Sequence, residues 1–312
     1  MKRWKLIADV GGTNARFARS AGPGDLQDVK KLNVRDFPTF HSALQAYLEG
    51  VDCGQCTGGS ISAAGPVNRD EVVLTNAPWR IAADDVGSAL GDRPVMLFND
   101  LEAVALALPH LTSDDVRQLG GPLPDLDAKS TRLAVNVGTG LGAAAAVPIG
   151  GAWLCMPSEA GHISYAATTA DEAKLLGSIG SVEDLLSGRG IRRLQKELRG
   201  TPGAKPHSVP EDPTIFGEPG IDAVSAEALE IFTRILARIS GDLVLATSAW
   251  GGVFFCGSVA RAWSEVADIE SFRATFESKG AMTARMRNVG TSLILLSEPA
   301  LYGLTFATGR RP

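Results

Sequence analysis

The stretch Leu6-Ile7-Ala8-Asp9-Val10-Gly11-Gly12-Thr13-Asn14 runs from apolar residues into a pair of glycines, and Leu133-Ala134-Val135-Asn136-Val137-Gly138-Thr139-Gly140 repeats the arrangement. At an offset of 127 residues Asp9 aligns with Asn136, Val10 with Val137 and Gly11 with Gly138. Each stretch reads as a buried strand that ends in a glycine turn. Lacking a Cβ, Gly11 and Gly12 let the backbone approach phosphate oxygens and aim N–H groups at them. Thr13 adds a hydroxyl donor. Two such turns at the heads of two lobes predict a nucleotide clamp, with a glycine hairpin without a ligand as the alternative for the first turn taken alone.

The chain around these turns has 312 residues, of which 45% are hydrophobic and 21% charged, a soluble globular composition long enough for two lobes. The net charge is −5 with no basic block, which argues against a nucleic-acid partner. No signal peptide is evident, and no run approaches the roughly 18 apolar residues of a membrane helix, so no membrane contact and a cytoplasmic location are expected. Cys53 and Cys56 have the spacing of half a zinc site, but no second pair matches it. Cys155 and Cys256 read as small core residues, and all four cysteines as reduced thiols.

Strands and helices alternate along the chain, which indicates an α/β protein. A hairpin is predicted over 4–10 and 15–19, and helices over 39–49, 81–90 and 101–108, the last ended by Pro109. Strands are predicted over 60–64, 72–74 and 95–98. Gly120 to Lys129 is a polar separator, and the region after Ile149 is loop-rich. Helical patterns follow over Asp171–Leu176, Val182–Leu186 and Ile191–Leu198, with a proline-rich insertion loop over 200–220. The strongest helix spans 223–246, where Val224, Ala228, Phe232, Ile235, Ile239 and Leu243 form one apolar face. Strands over 253–256 and 292–296 and a last helix from Pro299 complete the pattern.

Gly138-Thr-Gly140-Leu-Gly142-Ala143 also matches the dinucleotide fingerprint G-x-G-x-x-G/A, with Glu159 about 20 residues on. That motif must open a helix, whereas Pro148 and Gly150-Gly151 leave room here only for a second strand. Neither a Walker loop nor a G-x-S-x-G elbow is present. Asn99-Asp100 lies between a buried strand and a helix. There Asp100 is either a helix cap or a carboxylate at the carboxyl end of a strand, where α/β proteins bind ligands, placed to accept a hydroxyl proton. On spacing alone both stand. Glu159 and His162 suit a polyol-binding loop, a metal pair or a plain surface loop, and Glu183 reads equally as a solvated helix position. Asp9 could hold the water shell of a magnesium ion.

Taken in order, these segments resemble the bacterial glucokinases of the hexokinase type, ATP-dependent sugar kinases with the two-lobed, actin-like (ribonuclease H-like) α/β fold and a deep interlobe cleft. The resemblance covers nearly the whole chain. It rests on residues 9–16, Thr75-Asn76 with Trp79, Asn99-Asp100, Gly138 to Gly142, Glu159-Ala-Gly-His162, Glu183 with Leu-Ser-Gly188, and Gly251 to Gly257. It implies that Asp100 is the general base on the sugar's 6-hydroxyl and that Asn99, Glu159, His162 and Glu183 bind the other hydroxyls. Ala8, Asp9, Val10, Gly11, Gly12, Thr13 and Asn14, with Gly138, Thr139 and Gly140, would contact the ATP phosphates, and Gly257 the adenosine.

The resemblance further implies magnesium, a homodimer, and lobes of 1–109 with 299–312 and of 110–298. The expected reaction is phosphoryl transfer from MgATP to D-glucose, at the head of glycolysis. The alternatives are a kinase for another hexose, an NAD-dependent enzyme and a non-catalytic sugar-binding regulator. Two departures stand out: Ser258 follows Gly257 where the family pattern has a second glycine, and the chain stops at Pro312 soon after its last helix begins. The cysteine-rich zinc motif of the repressor/ORF/kinase branch is absent.

Overall fold

The first glycine turn joins two antiparallel strands, β1 (Trp4–Val10) and β2 (Asn14–Ser20), with Asp9 opposite Arg16. In this computed structural model residues 3–68, 70–74, 77–177, 179–199, 216 and 223–307 are described. Thr75-Asn76, the 200–220 loop apart from Phe216, and the terminus at 309–312 lie outside them. The chain divides into two compact units, Met1–His110 with Leu296–Pro312, and Leu111–Leu295.

In the first unit the hairpin continues to β3 (Gln27–Asn33). Helix α1 (Phe40–Leu48) follows, started by a capping box in which Thr39 accepts the Ser42 N–H. Next come β4 (Cys56–Ala63), the short strands β5 (Val67–Asn68), β6 (Glu71–Val73) and β7 (Arg80–Ala82), then α2 (Ala83–Ala89), β8 (Val95–Asn99) and α3 (Asp100–Ala107). The main sheet has the order β3-β2-β1-β4-β8, with β1, β4 and β8 mutually parallel. Leu6, Ile7 and Ala8 are fully buried, as a central strand covered on both faces requires.

The second unit contains β9 (Val116–Gly120), β10 (Arg132–Val137), β11 (Leu141–Ile149), β12 (Ala152–Ser158), α4 (Ala170–Leu176) and α5 (Gly188–Arg199). It continues with α6 (Ala223–Thr247), β13 (Val253–Cys256), α7 (Ser258–Val266), α8 (Ile269–Glu277), α9 (Thr283–Met286) and β14 (Thr291–Ile294). Its sheet order is β12-β11-β10-β13-β14-β9. β10 pairs antiparallel with β11 and parallel with β13, which is parallel to β14. Three antiparallel strands followed by two parallel ones are thus common to both sheets, the second adding β9 antiparallel to β14, and the twin glycine turns occupy the same place in each. Ala228, Phe232, Ile235 and Ile239 of α6 are buried in the core of this unit, while Val224 and Leu243 at the two ends are half-buried.

The last helix, α10 (Pro299–Leu304), has proline in its first turn and belongs to the first unit. It packs on α3 closely enough that a methyl group at Gly303 would collide with the Ala103 carbonyl.

Three expectations need correction. Residues 182–186 form turns rather than a helix, held by the Glu183 N–H on the Gly161 carbonyl at 2.9 Å and the Leu186 N–H on that of Val182 at 2.9 Å. The region after Ile149, expected to be loop-rich, begins with a strand, because β12 pairs with β11 there. Cys155, on that edge strand, is half-exposed instead of buried. No helix among the described residues is long and apolar enough to cross a membrane.

Candidate active site

In the first unit, the parallel register places Asp9 beside Ser62, whose hydroxyl donates to Asp9 Oδ1 at 2.7 Å. Arg16 Nη1 lies 3.6 Å from the other carboxylate oxygen, and Arg16 Nε lies 2.7 Å from Glu298 Oε2. Burial pushes the Asp9 carboxyl above the usual carboxylate range, against the pull of Ser62 and Arg16. The adjoining turn is closed by the Gly11 N–H on the Asn14 carbonyl at 2.9 Å. Among the described residues a methyl group at Gly11 would meet nothing closer than that carbonyl, at 3.6 Å, so none of their atoms demands glycine there.

At the carboxyl end of β8 the cap of α3 is Asn99, not Asp100. Asn99 Oδ1 accepts the Leu101 N–H at 2.9 Å, and Glu102 reaches back to the Asn99 N–H at 3.3 Å. Asp100 is the first helical residue, and its Oδ1 shares the Leu101 N–H at 2.8 Å.

The second unit gathers most of the other residues singled out in the sequence. Gly138, Thr139 and Gly140 link β10 to β11, with the Gly138 N–H on the Gly140 carbonyl at 2.9 Å. This antiparallel hairpin, with no helix after the glycines, excludes the NAD-binding fingerprint. The two outer glycines of the turn have different physical reasons. Among the described residues a methyl at Gly138 would come no closer than 3.9 Å to any atom, whereas one at Gly140 would collide with the Glu183 carboxylate.

Glu159 and His162 flank a single helical turn after β12, with the His162 N–H on the Glu159 carbonyl at 2.9 Å. Gly257 has φ of +96° and sits against Asn136 and Val137, so glycine is required there by both backbone and packing. Ser258, exposed in the first turn of α7, has its hydroxyl 4.0 Å from the position of a methyl on Gly138. Turn 138–140, Gly257 and the start of α7 therefore share one location, and a helix N-terminus there favours an anion.

Sequence reading missed Ser62, Glu298 and Arg189 as partners of site residues. The first two act only through pairing distant in the chain, and Arg189 emerges only once Glu183 is placed. The donors suit a magnesium-bound polyphosphate: a carboxylate at the end of β1, backbone N–H groups, and glycines whose missing side chains leave open space. Among the described residues no cluster of three or more His, Cys, Asp or Glu side chains is placed to hold a metal directly. Any metal here would lean on water and on the nucleotide.

A sheet scheme repeated in two units, with a glycine hairpin in each and an acid at a strand's carboxyl end, defines a sugar kinase of the actin-like fold. The glucokinase family model matches residues 6–310, and the chain belongs to the glucokinase family. It is 36% identical over 308 residues to the glucokinase of Chromobacterium violaceum, covering 96% of this chain and 88% of that protein. It is 33% identical to a bifunctional protein of Burkholderia lata, covering 96% of this chain but only 48% of that longer protein. The crystal structure of a glucokinase from an Antarctic psychrotroph superposes with a TM-score of 0.81 at 28% identity, covering 98% of each chain. The chain is an ATP-dependent hexose kinase, a transferase, and the comparisons favour this over an NAD-dependent enzyme or a non-catalytic regulator.

Proposed function

We propose that this chain transfers the γ-phosphoryl group of MgATP to the 6-hydroxyl of D-glucose, with Asp100 receiving the hydroxyl proton. The observation that carries the assignment is the start of α3. Asn99 and Glu102 complete the capping box, and Asp100, whose Oδ1 also accepts the Leu101 N–H at 2.8 Å, sets a carboxylate at the carboxyl end of a parallel strand, where α/β proteins bind ligands.

Phosphoryl transfer has a loose transition state, so the protein chiefly positions groups and stabilises charge. Asp100 orients the 6-hydroxyl and accepts its proton as the bond to phosphorus forms. Asn99, Glu159, His162 and Glu183 hold the remaining hydroxyls, so that an epimer leaves a polar group unpaired. Residues 8–14 and 138–140 present backbone N–H groups to the phosphates, and Gly257 lies against the adenosine. Asp9 would hold a magnesium ion through its water shell, and that ion would supply charge neutralisation to the polyphosphate. A cytoplasmic homodimer completes the proposal, on the strength of the family likeness.

Thermal shift with MgATP, NAD and glucose tests the ligand set, since a ligand that binds only the folded state raises the melting temperature. ATP and glucose are expected to raise it and NAD to leave it unchanged. A response to NAD alone would overturn the assignment.

A further inference from the structure

Glu183 does more than a sugar ligand needs to do. Its Oε2 accepts the Leu141 N–H at 3.0 Å, immediately after the 138–140 turn. Its Oε1 pairs with Arg189 Nη2 at 3.1 Å. Its backbone N–H donates to the Gly161 carbonyl at 2.9 Å, inside the Glu159–His162 segment. The packing is equally specific: a side chain on Gly140 would strike the Glu183 carboxylate, and one on Gly161 would strike the Leu141 carbonyl. A further tie joins the turn to the residues that follow Glu183, the Gly188 N–H on the Gly138 carbonyl at 3.0 Å.

We propose that Glu183 is a positioning residue for the phosphate-side turn, locking residues 138–141 to the sugar-side segment at 161, with Arg189 holding its second oxygen in place. This rests on the function proposed above and adds to the sugar contact assigned there. The physical reason is orientation. A turn whose N–H groups must meet phosphate oxygens loses much of its value when it shifts by about 1 Å. The carboxylate fixes Leu141 at the end of the turn, through the bond from its N–H to Oε2. An interaction with a charged acceptor is strong enough that its loss costs about ten-fold or more. The exposed Arg189 pair contributes less.

Isothermal titration of the magnesium complex of AMPPNP, with no sugar present, tests this directly. Glu183→Ala is expected to raise the nucleotide Kd about ten-fold, whereas Glu183→Gln, which keeps an oxygen for the Leu141 N–H, raises it no more than about three-fold. Arg189→Ala is expected to raise it about two- to five-fold in the wild type and to add nothing in Glu183→Gln. If Glu183 serves the sugar alone, sugar-free nucleotide affinity stays unchanged in all of these variants, and the proposal falls. Should Glu183→Ala fail to fold, Arg189→Ala decides, because truncating an exposed side chain leaves the core intact; an unchanged Kd there overturns the proposal. A wild type that does not bind the nucleotide would instead refute the kinase assignment on which it rests.

Discussion

Asn99 and Asp100 share a single backbone donor, the N–H of Leu101, at 2.9 and 2.8 Å, yet only Asn99 completes the capping box with Glu102. Asp100→Ala should therefore leave α3 capped and the melting temperature nearly unchanged. It should lower kcat by at least ~10²-fold, the lower end for general-base catalysis, with far less effect on sugar affinity. Asn99→Ala should cost about 1 kcal/mol of stability through the lost cap. Steady-state kinetics and thermal melts of the two variants check this. A near-normal kcat in Asp100→Ala would demote Asp100 to a structural residue.

Gly303 permits α10 to lie against α3 with no room for a side chain at the Ala103 carbonyl. Gly303→Ala should destabilise the protein by about 1–3 kcal/mol, the usual cost of overpacking, despite alanine's better helix propensity. Denaturant unfolding gives the number. An unchanged midpoint would show that the helices can separate at little cost.

Glu172 is buried, accepting from the Thr168 hydroxyl at 2.9 Å and from Arg238 Nη1 at 3.1 Å. Burial alone would raise its carboxyl, but Thr168, Tyr165 and Arg238 hold it below the usual carboxylate range. A depressed value contributes stability that is present above the unfolded pKa and lost as pH falls through the folded one. Glu172→Gln should cost about 3 kcal/mol at neutral pH, because it strands the Arg238 charge. The deficit should shrink between neutral pH and an acid pH below the folded pKa, where the wild-type carboxylate also protonates. Unfolding curves at both pH values would sink this if the deficit stayed constant.

Asp9 has the opposite sign. Its carboxyl is raised, chiefly by burial, so its stabilising contribution belongs to the protonated form and is lost as pH rises through the folded pKa. Asp9→Asn should gain in melting temperature over the wild type as pH rises, while its kcat falls through lost support of magnesium. A variant whose stability relative to the wild type did not change as pH was raised from the acid range would contradict this.

The twin hairpins were legible in the sequence because an apolar run ending in glycine leaves few alternatives, and because Pro148 with Gly150-Gly151 blocked a helix after the second turn. β12 was not, since Pro157 argues against a strand. The structure tolerates it because β12 is the edge of its sheet, where a missing N–H breaks no ladder. The helical spacing of Val182, Leu185 and Leu186 misled for a different reason. Those side chains do face the core, but the backbone is set by the carbonyls of Gly161 and Ile163, partners far away in sequence. The same distance hid the role of Glu183, as it hid Ser62 behind Asp9.

The most direct test is release of ADP from MgATP by the purified chain across a panel of hexoses, run beside Asp100→Ala. The account predicts that glucose stimulates release strongly, that other hexoses do so less, and that the variant loses the stimulation. No hexose-dependent release, from a folded protein that binds ATP, would contradict it.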